Sequence, residues 1–292
     1  MKTMDTIDTR CKTKYPVVLV HGIGFGDSNN MLYWGRIPKV LRSYGADVYS
    51  SSQDGWGNVE SNATQLIQNI DAILSASKAD KVNLIAHSKG GIDSRYLLRS
   101  SEAAAKIASI TTISTPHNGS HSMDLLMRIP SFLVKFAGVF VNGISRLMGD
   151  RQPDFYKTCI QMTTKKMDEF NTQAEHTDDV YCQSYAAVMT KPSSDVIMMI
   201  QNIIVKAIEG KNDGLVTLDS AAWQNFKGVL TGYGKRGVSH SDIVDLRRKP
   251  FIKPGSLISR ESSAREPDAN IFVADITDVY VDIVSDLKQR YL

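Results

Sequence analysis

The chain has 292 residues, 42% hydrophobic and 22% charged, a composition that excludes a disordered or fibrous chain and suits one globular domain spanning 1–292. Its 34 Lys and Arg against 31 Asp and Glu leave a net charge of +3 with both signs scattered. The one compact basic cluster, Arg247-Arg248-Lys249, does not amount to a nucleic-acid surface.

In chain order, Pro16-Val17-Val18-Leu19-Val20 is a β-branched run that predicts a strand buried on both faces, as in a parallel sheet. A second strand is expected at Ala46–Tyr49. Val59, Ala63, Leu66, Ile67, Ile70, Ile73 and Leu74 then recur at helical spacing over 59–77. A strand at Val82–Ala86 leads through His87-Ser88-Lys89-Gly90-Gly91 into a helix at Ile92–Leu98, and a further strand covers Ile107–Ile113. Strand–helix–strand alternation of this kind implies a mostly parallel sheet with helices on both faces.

After Thr115-Pro116-His117-Asn118-Gly119-Ser120 the rhythm stops. No strand is expected in 120–178, which carries an apolar helical stretch from Phe132 to Met148 and suggests a helical lid; a core helix is the other reading. The alternation resumes near Val180–Val188, followed by a helix at Asp195–Glu209, a turn at Asn212-Asp213-Gly214 and a last helix at Ile276–Leu287. The stretch 233–267, rich in Gly, Ser, Arg and Pro, is expected to be mostly loop. Cys11, Cys159 and Cys182 include no CxxC pair, so metal and thioredoxin-type roles fail; free thiols are expected, with a single Cys159–Cys182 bridge left open. No stretch reaches the roughly 18 uninterrupted apolar residues of a membrane span. MKTMDTIDTRCKTKYP lacks the apolar segment of a Sec signal peptide, which points to the cytoplasm or to another export route.

Ala86-His87-Ser88-Lys89-Gly90 lies at a strand-to-helix junction. Small residues flanking a serine there permit the sharp turn that exposes a nucleophilic hydroxyl. A helix-capping serine is the other reading, but a cap does not require Gly90-Gly91. Serine needs a base held by a carboxylate, and at such a junction the chain order is Ser, acid, His. Of the six histidines, His21 and His87 precede Ser88, His117 and His121 follow too closely, and His176 sits among acidic residues of the insertion. His240 is left as base, and Asp213, in the turn Asn212-Asp213-Gly214, as acid. The oxyanion donors fall on the amide of Lys89 and on the loop His21-Gly22-Ile23-Gly24-Phe25-Gly26, with Ile23 as candidate. A dinucleotide-binding loop would need glycine at 27, where Asp27 stands.

YPVVLVHG, Tyr33-Trp34-Gly35 with Ile37-Pro38, KVNLIAHSKGG with Arg95-Tyr96, STPHNGS, NDGLV and His240-Ser241-Asp242 together resemble the bacterial true-lipase family of pseudomonads, Proteus and related Firmicutes, over 15–122 and 180–246. The resemblance implies an α/β-hydrolase fold and hydrolysis of triacylglycerol or other carboxylic esters, with lipid or ester substrates met at an oil–water interface and no catalytic cofactor. It assigns Ser88 as nucleophile, Asp213 as acid, His240 as base, and Ile23 and Lys89 as oxyanion donors. It also implies a structural Ca²⁺ at Asp195 and Asp242, which otherwise read as surface aspartates, Asp195 capping a helix. Two positions depart from the pattern: Ala86 replaces glycine, and Lys89 stands where relatives carry His, Gln or Met, making the entrance more positive unless the lysine is simply solvated. Soluble short-chain carboxylesterase, thioesterase and acyltransferase activities remain as alternatives, and further off a non-catalytic binding protein of this fold.

Overall fold

The computed structural model describes residues 8–24, 32–232, 236–251 and 270–292. In chain order the elements are β1 Val17–Val20, α1 Ile37–Ser43, β2 Val48–Ser50, α2 Val59–Ser77, β3 Val82–His87, α3 Lys89–Leu97, α4 Ser101–Ala104 and β4 Ile107–Ile113. Four helices follow, α5 His121–Leu126, α6 Ser131–Leu147, α7 Phe155–Gln161 and α8 Thr164–Asn171. The remainder is β5 Tyr181–Ala187, α9 Met199–Glu209, α10 Leu218–Ala221, β6 Asn225–Gly232, α11 His240–Ile243, β7 Asn270–Val273 and α12 Ile276–Gln289. Seven strands form one sheet in the order β2-β1-β3-β4-β5-β6-β7, and every pairing is parallel.

The period-2 alternation of a strand sends its side chains to opposite faces, and β1 feeds two cores in this way. Val17 and Leu19 pack with Ile37 and Leu41 of α1 and with Tyr280, Ile283, Val284 and Leu287 of α12. Val18 and Val20 pack on the other face with Leu66 and Ile70 of α2 and with Leu97. The strand order reverses at β1, so the loops after β1 and β3 open side by side at the C-terminal edge, where a doubly wound sheet places its crevice.

The second strand runs Val48–Ser50, slightly later than the sequence suggests, and the expected helix over 195–209 forms only from Met199. Strands β6 and β7 have no counterpart in the sequence reading. Within the expected loop 233–267, the described residues 236–251 include the short helix α11, and 233–235 and 252–267 lie outside the described residues. The insertion 120–178 contains helices and no named strand. Its apolar helix α6 is not core. Val134 and Gly138 are buried, whereas Phe132, Phe136, Val139, Phe140 and Leu147 stand exposed, Phe136 at 79% and Leu147 at 90%. All three cysteines are free and buried. Burial pushes the Cys11 thiol up to about 11 and those of Cys159 and Cys182 to about 12, so they are unreactive. Among the described residues no helix is long and apolar enough to cross a membrane.

Candidate active site

Ser88 stands between β3 and α3 with φ 55° and ψ −135°, a left-handed conformation that an ordinary helix cap does not adopt. It makes no side-chain capping bond. The turn is held by its backbone: Ser88 N donates to Ile113 O at 3.1 Å, and Ser88 O accepts from Gly91 N at 3.0 Å and from Thr115 Oγ1 at 2.8 Å. A Cβ at Gly90 would lie 2.4 Å from the His21 carbonyl oxygen, so the helix start can approach β1 only without a side chain there. Lys89 opens α3, and the amides of a first helical turn have no partner within the helix.

The loop after β1 comes equally close. A Cβ at Gly22 would lie 2.7 Å from Ser88 Cβ. Gly22 N donates to Tyr33 Oη at 3.1 Å, and the same hydroxyl lies 2.8 Å from His87 Nδ1, so Tyr33 ties the loop to the residue preceding Ser88. Gly24 N donates to Gly55 O at 3.2 Å. With Gly22 and Gly24 both anchored, the peptide of Ile23 is fixed between them at the edge of the crevice. The His21 ring lies between the carbonyls of Gly22 and Gln53, and Gln53 Nε2 donates back to His21 O.

Asp213 and His240 meet. His240 Nδ1 and Asp213 Oδ2 are 2.8 Å apart, and His240 N donates to Asp213 O at 2.8 Å. The second carboxylate oxygen, Asp213 Oδ1, accepts from Leu215 N at 3.0 Å and Val216 N at 2.8 Å, so the turn itself aims the carboxylate. Both side chains are buried. The His240 ring lies 4.3 Å, centroid to centroid, from that of His87, the residue preceding Ser88. Burial and the neighbouring His240 push His87 well below the usual imidazole range, so it is neutral.

A family model for palmitoyl protein thioesterases matches residues 16–186. Triacylglycerol lipase 2 of Saccharomyces cerevisiae is 30% identical over 264 residues, 88% of this chain and 74% of that protein. Triacylglycerol lipases of Pseudarthrobacter phenanthrenivorans and Burkholderia plantarii are each 40% identical over 127 residues, 42% of this chain. Those stretches cover only 39% and 35% of the two bacterial proteins. The chain belongs to the lipase family of the α/β-hydrolase superfamily. Membership makes it a serine ester hydrolase. Solved structures agree on the fold: the lipase of Staphylococcus hyicus superposes with a TM-score of 0.66 at 17% identity, covering 99% of both chains. A metagenomic carboxyl esterase gives 0.67 at 17% identity over 95% of this chain and 76% of its own.

One expectation for this lipase needs correcting. The Lys89 side chain neither solvates nor charges the entrance. It is 2% exposed, and its ammonium sits 2.6 and 2.9 Å from the two oxygens of Asp93 one turn on. Asp93 Oδ2 also accepts from Asn62 Nδ2 at 3.0 Å. Burial raises the Asp93 carboxyl above its ordinary range, against the opposing pull of Lys89 and Asn62. The i,i+4 spacing of Lys89 and Asp93 was the available signal; the pocket under α2 was not. The two residues that the resemblance assigned to Ca²⁺ both have protein partners: Asp242 is engaged by arginines and Asp195 by serine hydroxyls. Among the described residues no group of three or more His, Cys, Asp or Glu could hold a metal ion.

His117 is a structural histidine. It stacks on Trp223 and is held by Arg95 Nη1 at 3.1 Å and Thr112 Oγ1 at 3.0 Å. Burial and then the Arg95 charge keep it neutral. His176 is exposed, and His121, also exposed, pairs with Asp124. Tyr33 and Asp93 are parts of the site that sequence reasoning did not single out for those roles.

Gly90→Ala should cost about 1–3 kcal/mol of stability through overpacking, measured by urea unfolding, and should abolish ester hydrolysis. Unchanged stability and rate would mean that the approach of α3 to β1 is looser than described. Lys89→Met should cost roughly 3 kcal/mol, the low end for a broken buried pair, because Asp93 can relieve its charge by taking a proton. Adding Asp93→Leu to that variant should recover part of the loss; a double variant no better than the single would argue against the pair.

Proposed function

We propose that this lipase hydrolyses carboxylic esters of lipids, triacylglycerol-like esters among them, through an acyl-enzyme on Ser88. The observation that carries the reading is the left-handed Ser88 turn together with the Asp213–His240 pair, whose imidazole packs on the ring of His87, the residue before Ser88. In this reading His240 takes the Ser88 hydroxyl proton as the oxygen attacks the ester carbonyl, and returns it to the departing alcohol. Asp213, accepting from His240 Nδ1, fixes the tautomer that leaves Nε2 as the base and stabilises the imidazolium. The amides of Ile23 and Lys89 receive the negative charge on the tetrahedral oxygen. Water then attacks the acyl-enzyme by the same route in reverse. The reaction as written uses no cofactor.

The match to the thioesterase model favours a second substrate for the same serine, an acyl thioester, in which a thiol replaces the alcohol as leaving group. A fluorophosphonate probe should label Ser88 whichever ester is preferred.

The proposal extends to residues 120–178 as a lid that meets lipid. Exposed apolar side chains mark an interaction surface, and here they come from two separate segments. Phe132, Phe136, Val139, Phe140 and Leu147 belong to α6, and Ile200, Ile203 and Ile204 to α9. Helix α5 packs against both α7 and α9, joining the insertion to the second segment. A lipid surface would remove these side chains from water.

Ser88→Ala and His240→Ala should each lower kcat on a soluble activated ester by at least about a thousandfold, whereas His117→Ala should leave the chemical step intact in the protein that remains folded. Wild-type turnover in Ser88→Ala would refute the mechanism. Phe136→Asp should weaken hydrolysis of an emulsified long-chain ester more than that of a soluble short-chain ester. Equal loss on both would overturn the lipid-facing role of α6.

A further inference from the structure

The loop carrying His240 is pinned at Asp242. Arg236 Nη2 donates to both oxygens of that carboxylate at 2.8 and 2.7 Å, and Arg247 Nε forms an ion pair with its Oδ1 at 3.3 Å. Asp242 Oδ2 also accepts from Ser239 N at 3.0 Å, and Ser239 Oγ from Asp242 N, a capping box that encloses His240. The Asp242 side chain is 1% exposed, and its charge is matched by these two arginines, which reach it from partly exposed positions.

Asp195 meets the same loop from the other side. Its Oδ2 accepts from the hydroxyls of Ser239, at 2.6 Å, and Ser241, the two residues flanking His240. Its Oδ1 accepts from Ile197 N at 2.9 Å. Burial works against its ionised form, but the serine hydroxyls and the backbone amides outweigh burial and hold the carboxyl below its ordinary range. Arg247 Nη2 donates to Ser194 O at 2.8 Å, so one arginine touches both the Asp242 carboxylate and the peptide leading into Asp195. Two carboxylates and two guanidiniums balance to zero. A calcium ion would need the carboxylate oxygens that face the guanidinium of Arg236, and it would add two uncompensated charges to a buried locus.

We propose that Arg236 and Arg247 hold the histidine loop in the place a divalent cation would take, and that Arg236 is a positioning residue for His240. The clamp fixes Asp242, the capping box transmits that position to Ser239, and the backbone between them carries the His240 ring onto Asp213. The Arg236 guanidinium is itself seated over the Phe251 ring at 4.8 Å, which limits its excursions. The same cation that a metal would supply is thus built into the chain, and the loop needs no loading from the medium.

The inference rests on His240 being the base, and the test separates the two. The full chain is assayed on a soluble short-chain ester, and its Tm is measured with EGTA and with added CaCl₂. Neither should move the Tm or kcat of the wild-type protein. A Tm lowered by EGTA and restored by calcium would overturn the proposal with no variant needed. Arg236→Gln should lower kcat roughly tenfold or more, given that a misplacement of an ångström costs up to about a hundredfold, while KM stays near its wild-type value. Arg236→Lys, which keeps the charge but loses the planar guanidinium seated over Phe251, should recover part of kcat. Should Arg236→Gln fail to fold, Arg247→Gln, at a more exposed side chain, should show a smaller loss of the same kind. Wild-type kcat in a folded Arg236→Gln protein, with His240→Ala still inactive, would overturn the clamp and leave the base assignment standing. Activity in His240→Ala would overturn both.

Discussion

Two backbone loops, after β1 and after β3, approach each other so closely at the C-terminal edge of the sheet that no side chain fits between them. Gly22 faces Ser88 Cβ, and Gly90 faces the carbonyl of His21. This contact sets the spacing of everything proposed to react. It presses the serine turn into a left-handed conformation, keeps the Lys89 amide at the open end of a helix, and leaves the Ile23 peptide fixed between anchored neighbours. The sheet order makes the contact possible, because only where the order reverses do the loops of neighbouring strands open on the same crevice.

Around this contact the interior is rich in charge, and the charges come in matched sets. Lys89 meets Asp93, Arg95 meets Glu175, Arg36 meets both Asp245 and Asp275, and Arg236 meets Asp242. Buried pairs contribute little net stability, because desolvation offsets their attraction, but breaking one is costly. Their effect here is to join distant segments. Arg36 precedes α1 and reaches the end of the histidine loop and the first turn of α12. Arg95, on the serine helix, holds Asn171 and Glu175 at the end of the insertion. Asn202 of α9 donates to Asn212 in the acid turn at 2.8 Å, so the helix with the exposed isoleucine face bears directly on the residue beside Asp213.

The sequence was most legible where burial is complete. Strands β1, β3 and β4 lie inside the sheet and are buried along their length, β1 an unbroken apolar run and the other two apolar or β-branched apart from Asn83, His87 and Ser109. Strand β6 begins with an exposed Asn225 and contains Lys227 and Gly228, and β7 is four residues long with its first residue exposed. The edge strand β7 and its neighbour β6 are stabilised by pairing rather than by pattern, and periodicity did not find them. Asp213 and His240 were reached through chain order, and the structure brings them together because His240 N bonds to the carbonyl of Asp213 itself. The apolarity of α6 was legible but its environment was not: a helix that is apolar over most of its surface can face a core or a lipid, and only the fold separates the two. The fate of Lys89 and of Asp242 depended on partners that the fold alone brings into reach, Asn62 from α2 and Arg236 from across the histidine loop.

The chemical groups are distributed unevenly along the chain. The serine turn and the loop beside it are complete within the first hundred residues, whereas the proposed acid and base follow only after residue 210, beyond the whole helical insertion. During vectorial synthesis a nascent chain therefore exposes a serine turn long before anything is present to activate it. The exposed apolar helix also emerges before the pair that would make the serine reactive. On the proposed mechanism, a growing chain can fold its first strands without hydrolysing an ester, and reactivity arrives only when the last third of the sheet closes on the first.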